Sequence, residues 1–245
     1  MARRHPVIKS AESGFSLIEM MIVCVIVLII SGAILHVINL STQRSSTEQA
    51  KVDMFQEARE FMDQMSRDLR GAGYPSPRNV DASVLTQNPL MNDLHAAAGV
   101  VKVDAGDLWF EGDVDGTGVV SVVQYHLDTS TANNCPCLKR SQLPKINGDP
   151  LTGQSTAVYQ VEVQGIQNTN IFSAYNNGAA LGLPVTIASV SGSTIASTDT
   201  VQATLTLQAA TVDPQTHQRP VMSLISTVKL NNCSQAAIGF QTSCQ

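Results

Sequence analysis

Between Gly14 and Leu40 the sequence reads GFSLIEMMIVCVIVLIISGAILHVINL, and after Phe15 the groups that ionise near neutral pH are Glu19 and His36. About 20 apolar residues carry a helix across the hydrocarbon core of a bilayer, so the stretch is long enough for one membrane crossing. The carboxylate is the anomaly. An acidic side chain a few residues inside a membrane helix costs several kcal/mol, and such residues are as a rule paired and functional. Here Glu19 follows four residues after an aromatic residue that itself follows a glycine.

Residues 1–14, MARRHPVIKSAESG, carry Arg3, Arg4 and Lys9. Positive flanks stay on the cytoplasmic side, which predicts the N terminus inside and the bulk of the chain outside. An ordinary secretory leader has its cleavage site after the apolar region. In this sequence the glycine precedes the apolar run, so a cut there leaves the hydrophobic helix attached.

A short basic leader ending in Gly14, then Phe15, SLIE with Glu19 fifth from the cut, and a long apolar run resembles the class III signal of type IV pilins and pseudopilins. The resemblance implies a prepilin peptidase that cuts the Gly14–Phe15 bond and N-methylates Phe15. It also implies that Glu19 of one subunit neutralises the Phe15 amine of its neighbour, since a cation in an apolar filament core needs a nearby anion. The implied fold is α+β: a long N-terminal helix packed on a C-terminal antiparallel β-rich domain. The expected organisation is a cleaved leader over 1–14, a transmembrane and filament-core helix over 15–40, its amphipathic continuation over 41–73, and an extracytoplasmic β-rich domain over 74–245.

The helical continuation has its own signal. Val52, Phe55, Ala58, Phe61, Met65 and Leu69 recur at steps of three and four, predicting one apolar stripe. Glu48 with Lys51 and Asp63 with Arg67 are spaced as helix-surface pairs. No proline interrupts residues 15–74, and Gly71, Gly73, Pro75 and Pro77 mark the end. A helix over 15–70 is about 84 Å long at 1.5 Å per residue. Major pilins commonly carry a proline in the membrane half, which this chain lacks. The terminal FMDQMSRDLRGAGY resembles the RDLR-x-AGY segment of PilW-type minor pilins.

Beyond the helix, residues 71–107 read as connecting structure. Strands are expected at Asp107–Glu111, Val119–Leu127, Ala157–Val163, Val185–Val190, Val201–Ala209 and Val221–Leu230, with a long loop over 165–183. Charged residues make up 14% of the chain and the net charge is −5, with no basic run past the leader. That excludes a broad nucleic-acid surface, so no nucleic-acid partner is predicted.

Three residue sets invite chemistry. Asp113 and Asp115, near Glu111 on the glycine-bearing turn GDVDGTG, gather oxygens of the kind Ca²⁺ takes. The helix–loop–helix calcium spacing is missing, and Asp and Gly also favour plain turns, the preferred reading. Of the five cysteines, Cys24 lies in the apolar stretch and Cys135, Cys137, Cys233 and Cys244 lie beyond it. An even set outside the inner membrane reads as disulfides. Neighbours in a C-x-C rarely bridge without strain. Cys135 and Cys137 are therefore each expected to pair with Cys233 or Cys244, and three connectivities are open. The resemblance to pilins, which often close a C-terminal loop, favours Cys233–Cys244, leaving Cys135–Cys137 either strained or reduced. A structural role outweighs thiol chemistry or a metal there. The five histidines are scattered, and no G-x-S-x-G, phosphate loop or dinucleotide fingerprint occurs, so no enzyme and no cofactor is predicted.

The sequence thus predicts a minor, PilW-like subunit that helps initiate or cap pilus assembly. Its expected partners are prepilin peptidase, other major and minor pilins and the inner-membrane assembly platform. Its expected place is the bacterial inner membrane, with a periplasmic C-terminal domain, and then the pilus at the cell surface. The alternatives are a GspJ-like minor pseudopilin of a type II secretion system and a tip adhesin or DNA-uptake subunit.

Overall fold

The computed structural model describes residues 14, 16–130, 135–187 and 194–230. Helix α1 runs Leu17–Gly71, 55 residues without a proline. The chain divides into two compact units, Met1–Glu48 and Gln49–Gln245, each described by itself.

In the first unit, the apolar side chains of α1 face outward: Leu17 is 79% exposed, Leu28 71% and Leu35 66%. Past Leu40, hydroxyl-bearing residues interrupt the apolar run, and their side chains bond back into the helix. Thr42 Oγ1 donates to Ile38 O at 2.9 Å and Thr47 Oγ1 to Gln43 O at 3.1 Å. Residues that otherwise favour caps and turns are thereby accommodated inside a helix.

The second unit contains the remainder of α1 and two antiparallel sheets. The strands are β1 (Gly99–Val103), β2 (Asp107–Gly112), β3 (Ser121–Asp128), β4 (Cys137–Pro144), β5 (Gln160–Gln164), β6 (Phe172–Asn176), β7 (Ala179–Ala180), β8 (Val185–Thr186), β9 (Thr200–Gln208) and β10 (Val221–Lys229). One sheet has the order β5-β4-β3-β2-β1-β8 and the other β10-β9-β6-β7. A long N-terminal helix with an antiparallel β-rich C-terminal portion is the predicted architecture.

Strand β9 alternates buried and half-buried residues along its whole length, as its sequence period requires. Four strands depart from expectation. β1 lies in the segment read as connecting structure, β4 was not foreseen, and β6 and β7 occupy the predicted 165–183 loop. The last two are joined by Asn177 and Gly178, both at positive φ (49° and 80°). That is the two-residue hairpin geometry that Asn-Gly favours.

The apolar stripe of α1 departs from its predicted course only at its first two positions. Ala58, Phe61, Met65 and Leu69 are buried as expected, and Met62 joins them. Val52 and Phe55 instead remain 47% and 43% exposed, lining an open groove with Val221 and Met222 of β10. Tyr125 of β3 is the hub of the core. Its ring meets Phe61 of α1 edge-on at 5.4 Å, Phe110 of β2 at 6.2 Å and Phe172 of β6 at 6.5 Å. Helix and both sheets converge on one aromatic side chain, which the preference of aromatic rings for edge-on and offset contacts rewards.

Candidate functional site

Glu19 lies in the first turn of α1 and is exposed among exposed apolar neighbours. A carboxylate at a helix N-terminus is stabilised by the unpaired N–H groups there. Met20 N donates to Ser16 O at 3.2 Å, so helical bonding begins two residues after Gly14. Gly14 is exposed, with open space around it, while Phe15 lies outside the described residues. α1 is long and apolar enough to cross a membrane. The segment thus holds an exposed glycine, a helix starting three residues later and a carboxylate in its first turn.

Residues 9–35 match the prokaryotic N-terminal methylation motif. The match covers Gly14, Phe15 and Glu19 and ends inside the apolar run. No curated protein matches the chain. Among solved structures, a type IV-like pilin from Thermus thermophilus is similar at 12% identity, with a TM-score of 0.43 over 75% of this chain and 100% of that one.

In the second unit, the RDLR-x-AGY segment has a physical role at every position that the structure buries. Asp68 and Leu69 are buried, and Asp68 Oδ2 accepts hydrogen bonds from Arg140 Nη2 at 2.8 Å, Arg140 Nε at 3.0 Å and the Tyr125 hydroxyl at 2.9 Å. Burial and the neighbouring Asp68 charge push the Tyr125 hydroxyl well above its ordinary pKa, so it stays a donor. Ala72 bridges Gly112, and Gly73, at φ 80°, donates its N–H to Glu111 O at 2.8 Å. The end of α1 is thus tied by side chains to β3 and β4 and by backbone to β2.

In the acidic turn, Glu111 points away from Asp113 and Asp115, into a buried ion pair. Glu111 is fully buried and faces Lys145, whose Nζ lies 2.7 Å from Glu111 Oε2, Met91 O and Ala96 O. Burial raises the Glu111 pKa, against the pull of Lys145. Asp115 Oδ1 accepts from Thr117 N and Oγ1, and these bonds lower its pKa; Asp113 Oδ2 accepts from Gly118 N. Glu111, Asp113 and Asp115 therefore form no common ligand cluster among the described residues.

Cys135 and Cys137 are bonded to each other, Cα to Cα 4.5 Å, and are the two cysteines that a Cys233–Cys244 closure leaves over. The backbone explains how neighbours meet. Cys137 begins β4 opposite Asp128 of β3, and Pro136 O, between the two cysteines, accepts N–H bonds from Gly165 and Ile166. The chain is folded back at Pro136, which brings the flanking side chains together. Cys233 and Cys244 lie outside the described residues. Sequence reasoning also missed two histidine–aspartate pairs, His95 Nδ1 with Asp93 Oδ1 at 2.8 Å and His126 Nδ1 with Asp107 Oδ1 at 2.7 Å.

Proposed function

We propose that this chain is a type IV pilin-like structural subunit, cut after Gly14 and methylated at Phe15, and that it serves as a PilW-like minor pilin in initiating or capping a filament. The observation that carries the reading is the match over residues 9–35, joined to a single carboxylate in the first turn of an exposed apolar helix. In the membrane, lipid covers the apolar side chains of Leu17–Ile38. In a filament, the same helices of other subunits cover them, and Glu19 of one subunit meets the amine of Phe15 on the next. Leaving either charge unpaired in such a core costs several kcal/mol, so the pair selects one axial register. The RDLR-x-AGY segment supports the PilW-like assignment, since its buried residues tie helix to sheet.

The test is the N-terminal mass of the mature protein taken from its native membrane, beside a Gly14→Ala form. A chain beginning at N-methylated Phe15, absent from the variant, is the expected result. An intact leader in the unaltered protein would sink the proposal.

A further inference from the structure

We propose that the Cys135–Cys137 pair, once reduced, forms with Asp128 a binding site for Zn²⁺ or a similar thiophilic divalent cation. One ligand atom from each of these three residues lies within 4.8 Å of the other two. Cys137 is fully buried, Cys135 is 7% exposed and Asp128 is half-buried, so the cluster is shielded from bulk water. A tetrahedral zinc with thiolate bonds of about 2.3 Å and a carboxylate bond of about 2.1 Å needs ligand atoms roughly 3.6–3.8 Å apart. The sulfurs must therefore separate after reduction, while the carboxylate, within 4.8 Å of both sulfurs, needs to move by no more than about 1.2 Å toward each. Two thiolates and one carboxylate suit zinc better than calcium or magnesium, which take oxygen ligands.

Bonds that do not involve the sulfurs position the backbone that carries the three groups. Asp128 and Cys137 are direct partners in the β3–β4 ladder. The Pro136 carbonyl is anchored by Gly165 N–H at 3.0 Å and Ile166 N–H at 3.3 Å, bonds that do not involve the sulfurs. Lys139 Nζ sits on Asp128 Oδ2, and Ser130 N–H donates to Asp128 Oδ1 at 2.7 Å. A metal-bound carboxylate ordinarily keeps such outer partners. Charge balances in both states: Asp128 against Lys139 when oxidised, and a dication plus Lys139 against two thiolates and Asp128 when loaded. Neither state leaves a net charge in the shielded cluster, which would be costly.

The chemistry closes as follows. A dithiol reductant gives two electrons and two protons; the Cys135–Cys137 bond breaks, two thiols form and the reductant leaves as its own disulfide. Zinc then displaces both thiol protons to solvent. It takes two sulfur bonds and one oxygen bond, with water in the fourth position.

The test uses the full chain in detergent micelles, reduced with a trialkylphosphine, which becomes its oxide with oxygen from water and competes weakly for metal. Co²⁺ serves as the optical probe through its thiolate charge-transfer absorption, and Zn²⁺ displaces it in the presence of a competing chelator. The expected result is one Co²⁺ per reduced chain and none per oxidised chain. Cys135→Ser or Cys137→Ser abolishes the absorption; Cys24→Ser and the double variant Cys233→Ser/Cys244→Ser retain it. Asp128→Asn weakens affinity roughly tenfold or more, since loss of even an outer partner commonly costs that much. Asp128→Glu recovers part of it. Thermal midpoints of the oxidised variants show that each is folded. No absorption on reduction, absorption that survives Cys135→Ser, or an Asp128→Asn affinity equal to the parent's would each overturn the proposal.

Discussion

Asp68 of α1 and Arg140 of β4 form a doubly hydrogen-bonded ion pair across 72 residues of sequence, Nη2 and Nε both reaching Oδ2. Their side chains are 9% and 13% exposed, and the Tyr125 hydroxyl donates to the same oxygen. Removing one partner from a buried pair leaves the other charge without compensation, at a cost of about 3–5 kcal/mol. Asp68→Ala should therefore be destabilising on that scale in denaturant unfolding. A double replacement, Asp68→Leu with Arg140→Met, should be less damaging than the sum of its parts, because the orphaned charge disappears. Strict additivity would show that the pair is not coupled.

Gly112 offers a backbone test at the junction of α1 with β2. A Cβ there would overlap the Gly71 carbonyl oxygen and lie 2.9 Å from its carbon, which are main-chain atoms that cannot rotate away. Gly112→Ala should cost about 1–3 kcal/mol, the usual range for forced overpacking. Gly116, in the adjoining turn, has open space but a φ of 71°. Gly116→Ala should cost only the left-handed penalty of about 1–2 kcal/mol. Amide exchange separates the two: Gly112→Ala should expose the Gly73 N–H, which bonds Glu111 O, and Gly116→Ala should leave it protected.

These features differ in how far the sequence discloses them. The apolar helix, the alternating β9 and β10 and the 107–112 strand rest on local periodicity, and each appears where that period places it. β4 shows no such period, because Lys139 and Arg140 occupy positions that a local reading assigns to solvent. Asp128 and Asp68, brought up by the fold, together with Gln142 beside Arg140, make those positions tolerable. The exposure of Val52 and Phe55 at the start of the α1 stripe has a similar origin. Periodicity shows that a face exists, but the packed sheets decide that Met62 is covered and Phe55 is not. The β6–β7 hairpin is a different case, since its Asn177–Gly178 turn was present in the sequence and its adjoining strands are merely short. For the N-terminal site, Gly14 and Glu19 stand out through the resemblance to the class III signal and the motif match over residues 9–35, not through any contact in the fold. The Cys135–Cys137 bond is not legible in the sequence, because it depends on how Pro136 is held by the end of β5.

Asp93 supplies a pH dependence with a defined sign. Burial opposes its ionisation, but N–H bonds from His95 and Thr86, the His95 ring and the Gln87 N–H outweigh that and lower its pKa to about 2. An unfolded aspartate titrates near about 3.9. A folded pKa below the unfolded one contributes stability that is fully present above about pH 4 and is lost as pH falls through about 2. The stability difference between the parent and Asp93→Asn should therefore be largest near pH 5 and shrink steadily toward pH 2. A gap that stays constant across that window would show that the hydrogen bonds do not favour the charged form.

Glu19 tests the filament reading most directly. Replacing it with alanine makes the first turn of α1 wholly apolar, so membrane insertion should persist or improve. Cleavage after Gly14 should also persist, since the scissile bond and leader are unchanged. What is lost is the anion for a neighbouring Phe15 amine, and an unpaired cation in an apolar core costs several kcal/mol. Each 1.4 kcal/mol is about a tenfold change in an equilibrium. Glu19→Ala should thus reduce the sheared-filament fraction at least about tenfold while leaving the processed protein in the membrane fraction. Glu19→Gln, which keeps the size and hydrogen bonding but not the charge, should behave like Glu19→Ala. Normal incorporation of Glu19→Gln with loss for Glu19→Ala would assign the role to hydrogen bonding or packing, and the charge pair would have to be abandoned.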